Sequence, residues 1–269
     1  MRVVITRPAG DAQAWVDALQ AAGHDALALP LIEVGPATHT QPVAQAWAQW
    51  PSFQAVMFVS AQAVRYFFDS QPADMRAEAA LADSTTWSNG PRCWATGPGT
   101  HKALLQAGVP QACIDSPVAD AAQFDSEALW QRVSAQVKAG QSVLIVRGAD
   151  AHQAVQTSGS GRDWLAQQLQ AAGAHVHFVV AYERRLPTWT PTQLALAQQA
   201  ARDGSVWLLS SSQAVAHLQQ LLPQQTWVNA RCAATHLRIA QAAKALSFGE
   251  VIVLRPLLAD LLASLESMA

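Results

Sequence analysis

The sequence contains an internal repeat, which constrains the fold more than any other feature. Residues 19–23 read LQAAG, and residues 169–173 repeat them without change. In both places the pattern before the glycine indicates a helix, and glycine can end a helix in the left-handed region without a steric penalty. A β-rich run then follows, which covers residues 176–180 in the second copy. Ile32 in the first copy therefore corresponds to Tyr182 in the second, and we interpret the chain as a tandem duplication.

Three further pairs of segments support the duplication. The apolar run at 3–6 corresponds to 143–146, residues 55–64 correspond to 206–215, and RCWAT at 92–96 corresponds to RCAAT at 231–235. Predicted strands and helices alternate along both copies, which indicates parallel strands joined by right-handed crossovers. The predicted fold class is α/β, with two flavodoxin-like doubly wound parallel-sheet domains.

Composition limits the class of partner and the compartment. The chain has 269 residues, which is long enough for two domains with a core each. A net charge of −2 disfavours non-specific binding to nucleic acid or to an anionic membrane. No signal peptide precedes the strand at 3–6, and no apolar run reaches the roughly 18–20 residues that span a bilayer. We expect a cytoplasmic protein with no nucleic-acid or membrane partner.

The predicted ligand site lies beyond the carboxyl ends of the strands, where loops lead into helix N-termini. The residues there are mostly small, hydroxylic or basic, and none is a carboxylate. These candidates are Thr6, Arg7, Ser60, Ala61, Gln62, Thr96, Gly97, Thr100, Arg147, Gly148, Ser210, Ser211, Ser212, Thr235 and His236. Helix N-termini add free N–H groups and a positive dipole end, so the set favours an anionic ligand with several carboxylates or phosphates. Each hydroxyl taken singly also fits an ordinary helix N-cap.

Other chemistries lack their signatures. The chain has neither G-x-G-x-x-G nor a P-loop motif, and it has no G-x-S-x-G elbow. His175 and His177 share one strand face but have no third ligand placed by the sequence, so we expect them to face solvent and predict no metal site. Cys93 and Cys232 fall in the middle of strands, where they fit small buried hydrophobes better than reactive thiols.

In their order and spacing, these segments resemble the uroporphyrinogen-III synthase family. The resemblance covers nearly the whole chain. It is carried by VITRP at 4–8, AGH at 22–24, LPLI at 29–32, FVSAQAV at 58–64, ATGPGT at 95–100, DSEAL at 125–129, VLIVRG at 143–148, GR at 161–162, AYERR at 181–185 and LSSSQAV at 209–215. One departure concerns a second Gly-x-x-Thr loop, which the family often has. Residues 235–239 read THLRI here, so Ile239 lacks the hydroxyl that Thr100 carries in the other half.

The resemblance implies two domains that are not the halves of the sequence. Residues 1–34 with 187–269 would form one domain and residues 35–181 the other, joined by a two-stranded antiparallel linker near 32–36 and 182–187. The substrate would lie between them. The implied reaction uses no cofactor: hydroxymethylbilane, a small molecule, loses its hydroxyl as water and cyclises with inversion of ring D, giving uroporphyrinogen III in heme biosynthesis. We expect a monomer.

The role of Tyr182 stays open at this stage. The resemblance places it at the cleft as the one strong acid–base candidate, whereas a linker tyrosine that packs structurally would look the same in sequence. Two other functions also stay open. A non-catalytic two-domain protein that binds a polycarboxylate would use the same junction chemistry, and turnover of hydroxymethylbilane would separate it from an enzyme. A flavin-dependent enzyme would fit flavodoxin-like halves, and a colourless purified protein would exclude it.

Overall fold

The computed structural model describes residues 1–73, 75, 87, 90–117, 126–150 and 162–267. Asp125 and Gly161, two positions of the resemblance, lie outside these residues. The chain divides into two compact units. Unit 1 consists of Met1–Val34 and Arg185–Ala269, and unit 2 consists of Gly35–Arg184.

Strands and helices alternate along the described chain. The strands are β1 (Arg2–Ile5), β2 (Asp25–Ala28), β3 (Glu33–Pro36), β4 (Ala55–Phe58), β5 (Arg92–Ala95), β6 (Ile114–Asp115), β7 (Ser142–Asp150), β8 (His175–Arg185), β9 (Val206–Leu209), β10 (Arg231–Ala234) and β11 (Glu250–Val253). The helices are α1 (Ala9–Ala21), α2 (Gln41–Ala48), α3 (Ala61–Asp69), α4 (Pro98–Gln106), α5 (Ser126–Val133), α6 (Arg162–Ala171), α7 (Pro191–Ala200), α8 (Ser212–Leu221), α9 (Leu237–Ala245) and α10 (Leu258–Ser267). None of the described helices is both long and apolar enough to cross a membrane.

Unit 1 contains a five-stranded parallel sheet in the order β2-β1-β9-β10-β11. Counted within the unit this order is 2-1-3-4-5, the flavodoxin-like arrangement. The central strand β9 is apolar and buried along its whole length because both faces of the sheet are covered there. Val4 and Trp207 pack into the core on one face, and Val3 and Leu208 pack into the core on the other.

Unit 2 contains a six-stranded sheet in the order β3-β8-β7-β4-β5-β6. The β8–β7, β7–β4, β4–β5 and β5–β6 pairs are parallel. If the unit is counted from β7, these five strands again follow the order 2-1-3-4-5, so unit 2 is a circular permutation of the unit 1 topology. The predicted α/β fold class with two parallel sheets is confirmed.

Two strands of unit 2 are longer than the sequence predicts, and this changes the position of three candidate residues. The prediction ended β7 at residue 146 and β8 at residue 180, whereas they end at Asp150 and Arg185. Arg147 and Gly148 therefore lie inside β7, and their predicted placement in a loop after the strand was wrong. Tyr182, which the resemblance places in the linker, lies inside β8. Backbone pairing continues past Arg147 through a register shift, and such ladder hydrogen bonds do not require apolar side chains.

Candidate functional site

In unit 1 the end of β1 leads into α1 through Thr6 and Arg7. The Thr6 hydroxyl donates a hydrogen bond to the Leu208 carbonyl at 2.5 Å, and the residue is buried. The Arg7 guanidinium lies over the Trp15 ring, with Cζ 5.1 Å from the centroid. Its Nε is buried and has no hydrogen-bond partner among the described residues. Thr6 thus serves the fold, while the partly exposed Arg7 places its charge over Trp15.

The other unit 1 candidates follow β9 and β10. Ser211 is the N-cap of α8, where its hydroxyl oxygen accepts a hydrogen bond from the Gln213 N–H at 3.2 Å. His236 is the N-cap of α9, where Nδ1 accepts from the Arg238 N–H at 3.1 Å. The Ser212 hydroxyl is buried without a partner among the described residues. Two of these candidates are therefore helix caps. Ser210 and Thr235 immediately precede the two caps.

In unit 2 the corresponding junctions follow β4 and β5. Ser60 is the N-cap of α3 and accepts a hydrogen bond from the Ala63 N–H at 3.1 Å, and Ala61 and Gln62 are the first two residues of that helix. Thr96 donates to the Val59 carbonyl at 3.3 Å. After these come Gly97, which is the N-cap residue of α4, and Thr100, which is buried in the first turn of that helix.

A hydrogen-bond network joins β4 to β8 at the phenol of Tyr182, which is only 1% exposed. The phenol oxygen lies 3.2 Å from the Ser60 hydroxyl and accepts a hydrogen bond from Nη2 of Arg184 at 2.8 Å. Nη1 of Arg184 lies 3.9 Å from the carboxylate of Asp150. Two predicted site residues, Ser60 and Tyr182, are therefore in direct contact.

Packing around the Tyr182 ring fixes its position. Gly148 pairs with Tyr182 across β7 and β8, immediately after the register shift. A Cβ atom on Gly148 would lie 2.7 Å from Cε1 of Tyr182 and closer still to Cζ, so only a residue without a side chain fits there. Tyr66 of α3 stacks on the ring, with a centroid distance of 5.9 Å. The phenol is thereby held at the end of β4.

Arg147 takes part in a different contact. Its Cζ lies 4.7 Å from the centroid of the exposed Phe178 ring. A cation over an aromatic face is a favourable arrangement that leaves most guanidinium N–H groups open. The structure therefore places Gly148 in the Tyr182 network and Arg147 on the exposed ring of Phe178.

Three members of the network were not among the sequence candidates: Tyr66, Asp150 and Arg184. Arg184 had a usable signal, because residues two apart on a strand point to the same face, and Tyr182 and Arg184 have that spacing. A prediction that extended β8 to residue 185 would have placed Tyr182 and Arg184 on the same face of the strand. Asp150 pairs with Arg184 in the sheet register, which only the extended β7 reveals. Tyr66 gives no sequence signal.

The cysteines and histidines lie apart from this network. Burial raises the pKa of the Cys93 thiol, and it raises that of Cys232 to about 12. Both side chains are fully buried, as predicted. His175 and His177 are exposed, also as predicted. Within the described ranges, no three His, Cys, Asp or Glu side chains form a group that could hold a metal ion.

The fold and the strand ends define the class of protein: a two-unit α/β protein with flavodoxin-like sheets, whose strand ends carry hydroxyl, amide and guanidinium groups. Residues 13–263 match the family described as uroporphyrinogen-III synthase HemD, and the chain belongs to that family. The family consists of lyases of heme biosynthesis, and its activity implies a small-molecule substrate.

Named relatives agree with this assignment. The chain is 28% identical over 258 residues to the uroporphyrinogen-III synthase of Salmonella typhimurium, covering 94% of each chain. It is also 28% identical over 228 residues to the enzyme of the same name from Synechococcus elongatus, covering 84% of this chain and 76% of the other. The crystal structure of uroporphyrinogen-III synthetase from Helicobacter pylori matches over 100% of both chains, with a TM-score of 0.55 and 16% identity. That structure supports the fold, and the relatives' names disfavour a non-catalytic binding protein.

Proposed function

We propose that this protein converts hydroxymethylbilane to uroporphyrinogen III, with loss of water and inversion of ring D. The observation that carries the proposal is the family match over residues 13–263. The protein acts without a cofactor, as a cytoplasmic monomer whose domains are the two compact units.

Departure of the substrate hydroxyl is the step that needs a proton. The lone pair of the adjacent pyrrole nitrogen expels the hydroxyl as water, so a modest acid suffices. Tyr182 is the proposed source of that proton. Its position supports the role, because the Arg184 guanidinium donates to the phenol oxygen at 2.8 Å and faces the charge that would remain there after transfer.

The acetate and propionate groups of the substrate are proposed to bind at the strand–helix junctions. The N-termini of α3, α4, α8 and α9 present backbone N–H groups and the positive ends of helix dipoles. In unit 1 the partly exposed Arg7 adds a positive charge beside the β1–α1 junction. Thr6 and Thr100 are buried, so their proposed part is to shape the junctions.

Many weak contacts of this kind bind a flexible polycarboxylate and hold its two ends in a conformation that can close. Orientation is then the main contribution to rate and to the choice of isomer. The remaining candidates, which are Ala61, Gln62, Thr96, Gly97, Arg147, Ser210, Ser212 and Thr235, are proposed to contribute amides, hydroxyls or charge to the same binding.

Product analysis tests the proposal directly. Hydroxymethylbilane closes spontaneously to isomer I, so purified protein should give isomer III in excess over the isomer I formed in a protein-free control. A protein that bound the substrate without changing the product would support the binding-protein alternative. A protein that neither bound nor converted it would contradict the assignment.

A further inference from the structure

The direction of the hydrogen bonds at Tyr182 can be worked out by counting donors and acceptors. Arginine carries only donors, so the phenol oxygen must accept from Arg184. The phenol proton then needs an acceptor, since a buried hydroxyl proton left without one is costly. Among the described residues the Ser60 oxygen, 3.2 Å away, is the acceptor observed. Tyr182 therefore donates to Ser60.

The same count of donors and acceptors shows which groups the Ser60 hydroxyl is bonded to and whether its own proton has an acceptor. Its oxygen has two acceptor positions, and the Ala63 N–H takes one while the Tyr182 phenol takes the other. The Ser60 proton has no acceptor among the described residues. Ser60 is only partly buried and stands at the N-terminus of α3, so its O–H is free to turn toward a bound ligand.

Exposure decides which hydroxyl can reach a substrate. Tyr182 is 1% exposed and its ring is enclosed by Gly148 and Tyr66. A bulky tetrapyrrole precursor cannot contact the phenol oxygen without displacing those neighbours. Of the two hydroxyls in the chain Arg184–Tyr182–Ser60, only that of Ser60 is accessible and has a hydrogen without an acceptor among the described residues.

We propose that Ser60 is the catalytic residue that protonates the leaving hydroxyl, and that the buried Tyr182 and the partly exposed Arg184 supply and position its proton. This inference rests on the function proposed above. In one step the Ser60 O–H proton passes to the substrate hydroxyl, the carbon–oxygen bond breaks and water leaves. The Tyr182 proton passes to the Ser60 oxygen, leaving a phenolate beside the Arg184 guanidinium. The pyrrole nitrogen supplies the electron pair and keeps its own hydrogen. Ring closure later releases a proton from the pyrrole carbon at which the new carbon–carbon bond forms, and that proton restores the phenol.

The repeat gives an internal comparison for this assignment. Ser211 in unit 1 corresponds to Ser60 and is likewise a helix N-cap. The residue that corresponds to Tyr182 is Ile32, which is buried in the apolar core of unit 1. Of these two junctions, the one at Ser60 pairs a capping serine with a phenol and a guanidinium, and the one at Ser211 does not.

Steady-state kinetics of single and double variants test the relay. Ser60→Ala and Tyr182→Phe should each lower kcat for uroporphyrinogen III by about tenfold to a hundredfold, with little change in KM. The double variant should be no slower than the slower single variant, because both changes break one path. Arg184→Met should lower kcat in the wild-type background and have no further effect in Tyr182→Phe. Ser60→Thr, which keeps a hydroxyl and a cap, should retain most of kcat.

A control separates the relay from loss of a helix cap. Thr190 is the N-cap of α7, with its hydroxyl accepting from the Gln193 N–H, and it has no place in the proposed site. Thr190→Ala should lower the melting temperature much as Ser60→Ala does, with kcat unchanged.

If Ser60→Ala is folded and as fast as wild type while Tyr182→Phe is slow, the phenol acts directly and the relay is wrong. The relay would also be overturned if the decrease in kcat of the Ser60→Ala/Tyr182→Phe double variant equalled the product of the two single decreases. A wild-type protein that makes no isomer III would instead refute the proposed function itself.

Discussion

The ring of Tyr182 occupies the space that a side chain at Gly148 on the neighbouring strand would fill. The two residues are paired in the sheet immediately after the register shift between Arg147 and Gly148. A shift of this kind changes which side chains face which side of a sheet. Gly148 thus provides space for the ring, and its backbone conformation is one that any residue adopts, so steric exclusion is the reason for glycine here.

We therefore expect Gly148→Ala to displace the Tyr182 ring. Overpacking of this kind costs about 1–3 kcal/mol of stability. Uroporphyrinogen III formation should fall at least as far as in Tyr182→Phe, because the whole ring moves. Thermal melting and initial rates measure the two effects.

Gly10 in α1 provides the matched control for that substitution. A Cβ atom there would meet nothing within 4 Å, so Gly10→Ala should be neutral or slightly stabilising and leave the rate unchanged. A Gly148→Ala protein with wild-type melting temperature and rate would show that the ring can move without consequence.

Tyr182→Phe should slow formation of uroporphyrinogen III without changing which isomer forms. The substitution keeps the ring packed on Gly148 and removes only the hydroxyl. Loss of its hydrogen bonds should cost about 1 kcal/mol of stability. Ring inversion depends on how the bound substrate is folded, so product chromatography should still show isomer III. Release of mainly isomer I would mean that the phenol helps to govern ring closure.

Substrate affinity should be spread over many contacts. Ser211→Ala removes one capping hydroxyl at the α8 junction and should raise KM severalfold, which corresponds to about 1 kcal/mol for one hydrogen bond. Ser211→Thr retains the hydroxyl and should stay close to wild type. Complete loss of binding from Ser211→Ala in a folded protein would contradict distributed recognition.

The fold class was predictable because apolar runs and helix ends recur in the same order in both copies. Residues 55–58 and 206–209 are strands in the structure, and each is followed by a capping serine and a helix. The strand order could be predicted only as far as the flavodoxin-like class. In unit 2 the strand equivalent to β1 of unit 1 is β7, which comes late in the chain. This permutation depends on how the strands are connected, and the hydrophobic pattern of the sequence does not reveal it.

The details of the site were less predictable, for a physical reason. Apolar character placed the ends of the two strands at Val146 and Val180, whereas the backbone ladder continues to Asp150 and Arg185. The register shift also decides that Gly148, rather than Ala149, faces Tyr182. Such contacts depend on a single added residue in β8, and sequence spacing alone does not show it.

The cysteines should differ sharply in reactivity. Cys93 and Cys232 are fully buried, and desolvation raises the pKa of both thiols, to about 12 for Cys232. A raised thiol pKa leaves the group protonated at pH 8, and the thiolate is the reactive form. Cys113 is only partly buried. A disulfide reagent that reports released thiolate should therefore label Cys113 first in the native protein, and all three cysteines only after denaturation.

The control for this labelling is Cys113→Ser, which should remove the fast phase and leave two slow thiols. The slow phase should follow opening of the sheets, because Cys93 lies in the middle of β5 and Cys232 in the middle of β10, so a reagent must wait for local unfolding. Its rate should rise with low concentrations of denaturant as stability falls. Rapid labelling of Cys93 or Cys232 in the folded protein would mean that these strands open far more readily than their burial indicates.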